Sequence, residues 1–357
     1  MFTIDGTTMT RSSSETAFVR FDDPDYYVYP LTMALKVLFN DAKKATSVLV
    51  NTAGAEYTIS ARKEIILSAG VIGSAQLLQV SGVGDAKALQ ALNIDVVADL
   101  PGVGQNMQDH IVFGVTHGVN VVTSSAFGNP DFAAKQAQLF DQSASGLLTN
   151  PTADLLAWEK LPNKTRSMMS NSTLTSLAKY PADWPELEYI ALSAYLGNTS
   201  MLSTSDPLDG IAYASLGVVL CTPQSRGTVT ITSANATVAP AINPGFLTHK
   251  ADIEVAVGGF KRAREFWASS SLDQLRVGPE VYPGPSVVSD AQIENAIRQS
   301  FQTIFHGSST CAMGKPDDPN AVVDTQARVY GVKGLRVVDA AAFTFLPPGH
   351  PQSTVCK

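Results

Sequence analysis

Apolar residues in this chain come in short runs, and the spacing inside each run predicts its element. Residues 28–40 (VYPLTMALKVLFN) and 46–52 (TSVLVNT) are apolar stretches separated by DAKKA, which predicts two strands and a turn. Residues 63–70 (KEIILSAG) form a continuous apolar run, as expected of a strand covered on both faces. It leads into residues 71–84, where Ser74 is a candidate N-cap, residues 76–80 a short helix, and Gly82 and Gly84 its exit. Residues 85–94 read as a short amphipathic helix, and 95–110 as a strand followed by a glycine loop. At the start, residues 11–20 (RSSSETAFVR) predict a helix capped by Ser12 or Ser13, with Glu15 in its first turn.

The middle, about 113–300, has a different texture. Polar, proline-rich loops (150–171 and 180–186) alternate with the β-like stretches 187–196, 210–221 and 227–233. Strands without intervening helices favour an antiparallel sheet with one face covered. Two helices follow, 251–267 with apolar residues near helical spacing and 290–305 with an Asp N-cap, the second leading straight to His306. Near the end, residues 305–314 (FHGSSTCAMG) and 346–354 (LPPGHPQST) each set a histidine beside glycine in a loop. Between them, residues 322–343 read as a turn-rich connector into a buried strand. This arrangement predicts that His306 and His350 meet at one site.

Composition narrows the classes. At 357 residues the chain is long enough for two domains or one large one, and its hydrophobic content is ordinary for a globular protein. A net charge of −7 with scattered Lys and Arg argues against a nucleic-acid partner. No apolar run is long enough to span a membrane. Cys221, Cys311 and Cys356 are an odd number without metal-site spacing, and read as small buried thiols. The nearness of Cys311 to His306 raises a Cys–His nucleophile, but no further activating group is evident. Four N-x-S/T sequons, at Asn163, Asn171, Asn198 and Asn235, are compatible with a glycosylated secretory or extracellular protein, although no signal peptide is visible at the start.

The strand, glycine turn and helix start at 63–80 offer backbone N–H groups to an anion or a cofactor edge. A close-packed corner needing glycine only for sterics accounts for the same residues. GVG at 102–104 is no dinucleotide fingerprint, and G-x-G-x-x-G occurs nowhere in the chain.

Several motifs together carry a resemblance. GVIGSAQLLQVSGVG (70–84) resembles the second signature of the glucose-methanol-choline (GMC) oxidoreductases, departing from it at Val71 and Ala75. LPGVGQNMQDH (100–110), TPQSRGTVTI (222–231), HGSSTCAMG and GHPQST are similar to that family's later motifs in order and spacing. The resemblance implies an α+β protein with an incomplete FAD-binding, Rossmann-like domain (1–112), a substrate domain with a largely antiparallel sheet covered by helices (113–300), and a segment returning to the FAD domain with both histidines (301–357). It implies the C-terminal part of such a protein, without the unit carrying G-x-G-x-x-G.

The implied activity is oxidation of an alcohol to a carbonyl with FAD, with O2 or a quinone as electron acceptor. In the family the catalytic base matches His306, and His350 matches the residue that hydrogen-bonds the substrate oxygen. Asp339 and Ala340 match positions near the ribityl and pyrophosphate groups of FAD, Pro351 and Gln352 positions near the isoalloxazine ring, and Ala34 one near the adenine. Asp339 also reads as a cap or turn residue. Arg226 reads as a structural arginine, and His110, His117 and His249 as satisfied residues without a proton-transfer role. The motif details look most like fungal members, several of which act in secondary metabolism. Two other readings stand beside alcohol oxidation: a cyclising dehydration with no net redox change, as in versicolorin B synthase-like relatives, and an inactive remnant.

Overall fold

The computed structural model describes residues 4–19, 26–198 and 206–355. The fold is mixed α+β, built around two main hydrophobic cores. A helical turn at Glu15–Val19 follows Ser13, whose hydroxyl accepts the Thr16 N–H. Strands β1 (Thr32–Phe39) and β2 (Ala45–Thr52) form the predicted hairpin, and β3 (Ala55–Ser60) extends it to a three-stranded antiparallel sheet. The short strand β4 (Ile65–Leu67) differs from expectation: Ile65 and Leu67 are buried but Ile66 is 53% exposed, so only one face is covered.

Helix α1 (Gly70–Val80) starts earlier than its pattern implies. Ser74 is not its cap but a buried residue in its second turn, with its hydroxyl on Asp339. Gly70 takes a positive φ of 77° at the helix start, which glycine adopts without steric cost. The strand pair β5 (Val83–Gly84) and β6 (Ala98–Asp99) brackets α2 (Ala86–Ala91), capped by the Asp85 side chain.

The 100–110 loop then threads between distant segments. Gly104 N–H donates to Thr310 O at 2.7 Å, and Val229 N–H donates to Gly104 O at 2.7 Å. Gly104 has φ +78°, and a Cβ there would sit 2.1 Å from Val229 O. Gly104→Ala is therefore expected to destabilise the protein by at least ~1–3 kcal/mol, read as a lowered urea midpoint.

Strand β7 (Ile111–Val119) is buried along its whole length and forms the spine of the larger sheet. Helix α3 (Pro130–Ser143) precedes β8 (Ala153–Glu159), a strand inside the span expected to be loop. Short helices α4 (Asn163–Arg166) and α5 (Asn171–Leu177) lead to β9 (Leu187–Leu192) and β10 (Ala212–Leu220). The pair β11 (Thr228–Thr230) and β12 (Ala241–Asn243) stands outside this sheet.

Helix α6 (Lys250–Trp267) lays Val255, Phe260, Ala263 and Trp267 into the second core against the sheet. The next strand, β13 (Arg276–Tyr282), pairs with β7 at the sheet's far side. Helix α7 (Asp290–Ser300) is capped by Ser289 rather than Asp290, in a reciprocal capping box with Gln292. It ends before His306, and β14 (Gln302–Thr303) intervenes. The sheet runs β13–β7–β10–β9–β8 with β14 beside β7, antiparallel throughout. Strand β15 (Leu335–Val337) lies parallel to β4, and α8 (Gln352–Val355) follows the second histidine loop.

The thiols of Cys221 and Cys311 are buried and free, and burial pushes both far up from the ordinary thiol value. A nucleophilic Cys311 is therefore excluded by its surroundings. Cys356 and the hydroxyl residue of the Asn198 sequon lie outside the described residues.

Candidate active site

Pairing of β14 with the start of β7 sets the site. It carries the chain past Thr303 and Phe305 so that residues 303–308 run beside 108–111. Ser308 N–H donates to Gln108 O at 2.8 Å, and Gln108 N–H donates back to Ser308 O at 3.1 Å. Asp109 clamps the turn: one carboxylate oxygen accepts the His306 backbone N–H at 3.0 Å, the other the Thr303 hydroxyl at 2.5 Å. Phe305 adopts φ +63° and is 85% exposed, so the bend that buries His306 turns its neighbour outward.

The His306 ring is buried, and its Nδ1 lies 3.0 Å from Nδ1 of His110, which is fully buried. His350 approaches from the other loop, after Gly349 at φ +88°. Its ring stands edge-on to His306, centroids 4.8 Å apart at 84°. His350 Nε2 is 2.9 Å from Oε1 of Glu188, which is also fully buried. Strand alternation explains that placement. Glu188, Ile190 and Leu192 share one face of β9, whereas Leu187 on the other packs in the core beneath α6.

Both histidines line a cavity of about 600 Å³. Its wall is largely apolar, including Ala153, Ile190, Leu192 and Ile304, with Arg11 and Thr152 among the polar groups. Burial, and then the neighbouring His350, depress the His306 pKa from the ordinary 6.5 to about 3. Burial and the His306 ring hold His110 well below neutral. Burial raises the Asp109 carboxyl to about 6 against its three hydrogen bonds. His306 and His110 are thus neutral at physiological pH.

Ala340, Pro351 and Gln352 line the same cavity as the two histidines. Asp339 stands behind it as a cap. One oxygen accepts from Gly70 N–H at 2.9 Å and from the Ser74 hydroxyl at 2.5 Å, and the other from Ala341 N–H at 2.7 Å. The start of α1 is thereby already occupied by a carboxylate. Ala34 is exposed on β1, apart from the cavity. Arg226 donates to the backbone carbonyls of Pro223 and Ser225.

Sequence reasoning missed Glu188, Asp109 and the part played by His110. A lone acid in the apolar strand LEYIAL was the available signal for Glu188. The contact between His110 and His306 spans 196 positions and left no local trace.

Models described as GMC oxidoreductase match residues 8–112 and 223–356. Patulin synthase of Aspergillus clavatus is 52% identical over 358 residues, covering 99% of this chain and 57% of the relative. Versicolorin B synthase of Aspergillus parasiticus is 43% identical over 359 residues, covering 99% and 54%. Among solved structures, an FAD-dependent oxidoreductase from Chaetomium thermophilum superposes with a TM-score of 0.83 at 27% identity, covering 99% of this chain and 64% of that one. The chain spans a little over half the length of these curated relatives.

Proposed function

The chain belongs to the GMC oxidoreductase family, whose members are flavin-dependent, and on that premise we propose that its site oxidises an alcohol to a carbonyl. The observation that carries the reading is a buried, neutral His306 edge-on to a Glu188-anchored His350 over one cavity. The cavity volume and apolar wall suit an alcohol with a sizeable hydrocarbon body.

The residues fit the ring end of FAD. His306, held neutral by burial, lines the cavity with His350 and Arg11, and among the described residues no carboxylate does. That set of groups suits a cofactor that gains electrons. Ala340, Pro351 and Gln352 would hold it there, with Asp339 fixing the start of α1 behind them and Ala34 proposed for the adenine end. When bound, FAD supplies the hydride acceptor, with O2 or a quinone as final electron acceptor.

In the proposed reaction His306 takes the substrate hydroxyl proton as the carbinol hydrogen leaves as hydride, so both bonds to hydrogen break and the carbonyl forms. His350, anchored by Glu188, hydrogen-bonds the substrate oxygen and orients it. The apolar wall keeps bulk water from the neutral base.

A base depressed to about 3 must be neutral to act, and it stays neutral as pH falls below 6.5. The FAD-loaded protein should therefore keep its kcat/KM between pH 7 and 5, apart from a shallow bend near 6 as Asp109 protonates. A pH–rate profile checks this. A tenfold fall per pH unit below 6.5 contradicts it, and Asp109→Asn should remove the bend.

Identity to versicolorin B synthase favours a second reading, cyclising dehydration without net redox change. Product formed without loss of flavin absorbance would establish that reading instead. The sequon residues Asn163, Asn171, Asn198 and Asn235 are all exposed, and we propose that they carry N-glycans when the chain passes through a secretory lumen. A mass loss on N-glycosidase digestion of protein from a eukaryotic host is the expected result.

A further inference from the structure

The contact between His110 and His306 is unusual in its donors and acceptors. Two Nδ1 atoms face each other at 3.0 Å with the rings edge-on, centroids 5.3 Å apart at 77°. A hydrogen bond between them needs one hydrogen, carried by one ring only. Burial keeps both rings neutral, so each holds a single N–H. Two arrangements follow. If His110 donates from Nδ1, the hydrogen of His306 sits on Nε2, and His306 can only donate to a substrate hydroxyl. If His306 donates from Nδ1, its Nε2 carries a lone pair and can accept the hydroxyl proton.

The 3.0 Å contact serves either arrangement, and the second is the one that a base at His306 requires. Neighbouring Asp109 already holds the His306 backbone N–H. Consecutive residues of one loop thus grip the base twice, Asp109 by its backbone and His110 by its ring.

We propose that His110 is the positioning residue of the base: it accepts the Nδ1–H of His306 and thereby fixes the tautomer whose Nε2 lone pair serves the cavity. This rests on reading His306 as the base. The acceptor is a neutral imidazole rather than a carboxylate, so it orients His306 without adding negative charge to the site. When His306 takes the substrate proton at Nε2, its Nδ1–H remains on His110, and that hydrogen bond strengthens as the donor becomes cationic. The other titratable groups facing this pair are Asp109 on the same loop, His350 across the cavity, and Glu188 behind His350.

Ring-nitrogen NMR on the 15N-labelled full chain tests the proposal without turnover. His306 is expected to show a protonated Nδ1 and an unprotonated Nε2, and His110 the reverse. His110→Phe, which fills the space but accepts nothing, should mix or invert the His306 tautomers. His110→Asn, whose amide oxygen can accept the same hydrogen, should restore the wild-type pattern at least in part. In FAD-loaded protein, His110→Phe should lower kcat by about 10- to 100-fold, less than the ~10²–10⁴ expected of the base itself, with KM within about twofold. A wild-type His306 protonated at Nε2, or a His110→Phe variant that folds and keeps the wild-type tautomer, overturns the proposal. If His110→Phe does not fold, the wild-type spectrum and His110→Asn still decide it. Loss of alcohol oxidation with the tautomer pattern intact would count against the functional reading and leave the positioning role standing.

Discussion

His306→Ala is expected to lower kcat/KM for alcohol oxidation by about 10²–10⁴-fold while leaving the fold intact. The magnitude follows from what the side chain supplies. It is the only imidazole lining the cavity that is not tied to a carboxylate, because His350 is committed to Glu188. Its hold on the scaffold is mostly through its backbone, which alanine keeps: the N–H on Asp109 and the neighbouring pairing of residues 108 and 308. The ring loses one hydrogen bond, to His110, so a stability cost of about 1–3 kcal/mol is expected. Steady-state kinetics beside a thermal melt separate the two effects. A variant within tenfold of wild type removes His306 from the base role.

The second large effect concerns stability. His350→Ala is expected to destabilise the protein by about 3–5 kcal/mol, more than Glu188→Leu does. Glu188 is fully buried, one of its oxygens is on His350, and the other has no hydrogen-bond partner among the described residues. Removing the histidine leaves a buried acid group without its partner. Replacing Glu188 by leucine instead removes the under-satisfied group and adds apolar contact with Ile190 and Val219 on that side of the sheet. Glu188→Leu should therefore hold or raise the melting temperature, yet lower kcat by about 10- to 100-fold as His350 loses its anchor. The double variant should regain most of what His350→Ala loses, which a double-mutant cycle by chemical denaturation measures. Equal destabilisation by both single variants would mean that Glu188 has other partners.

Much of this fold was legible because local pattern and tertiary role agreed. The β1–β2 hairpin, α2, α6 and α7 follow their apolar spacing to within a few positions. The misses have physical causes. β3 is short and mostly exposed, so it carries no apolar signature. β8 sits in a polar, proline-flanked span and is held by pairing with β9. Helix α1 begins at Gly70 because Asp339, 269 positions away, accepts that residue's N–H, and no nearby sequence announces such a cap.

The site divides along the same line. His306 and His350 were readable because each sits in a glycine-flanked loop, and Ala340, Pro351 and Gln352 came with them to one cavity. Glu188, Asp109 and His110 act through contacts between residues far apart in the chain. They complete the two histidines rather than add a separate feature. The Asp109 carboxylate and the His110 ring hold His306 by its backbone and its ring, and Glu188 holds His350.

Anaerobic mixing of the FAD-loaded protein with a panel of primary and secondary alcohols decides whether the site oxidises an alcohol. Loss of oxidised-flavin absorbance is expected with at least one alcohol, stoichiometric with carbonyl product, at a rate lowered at least about 100-fold in His306→Ala. Product without loss of flavin absorbance, or loss at an equal rate in the variant, would contradict alcohol oxidation with His306 as the base.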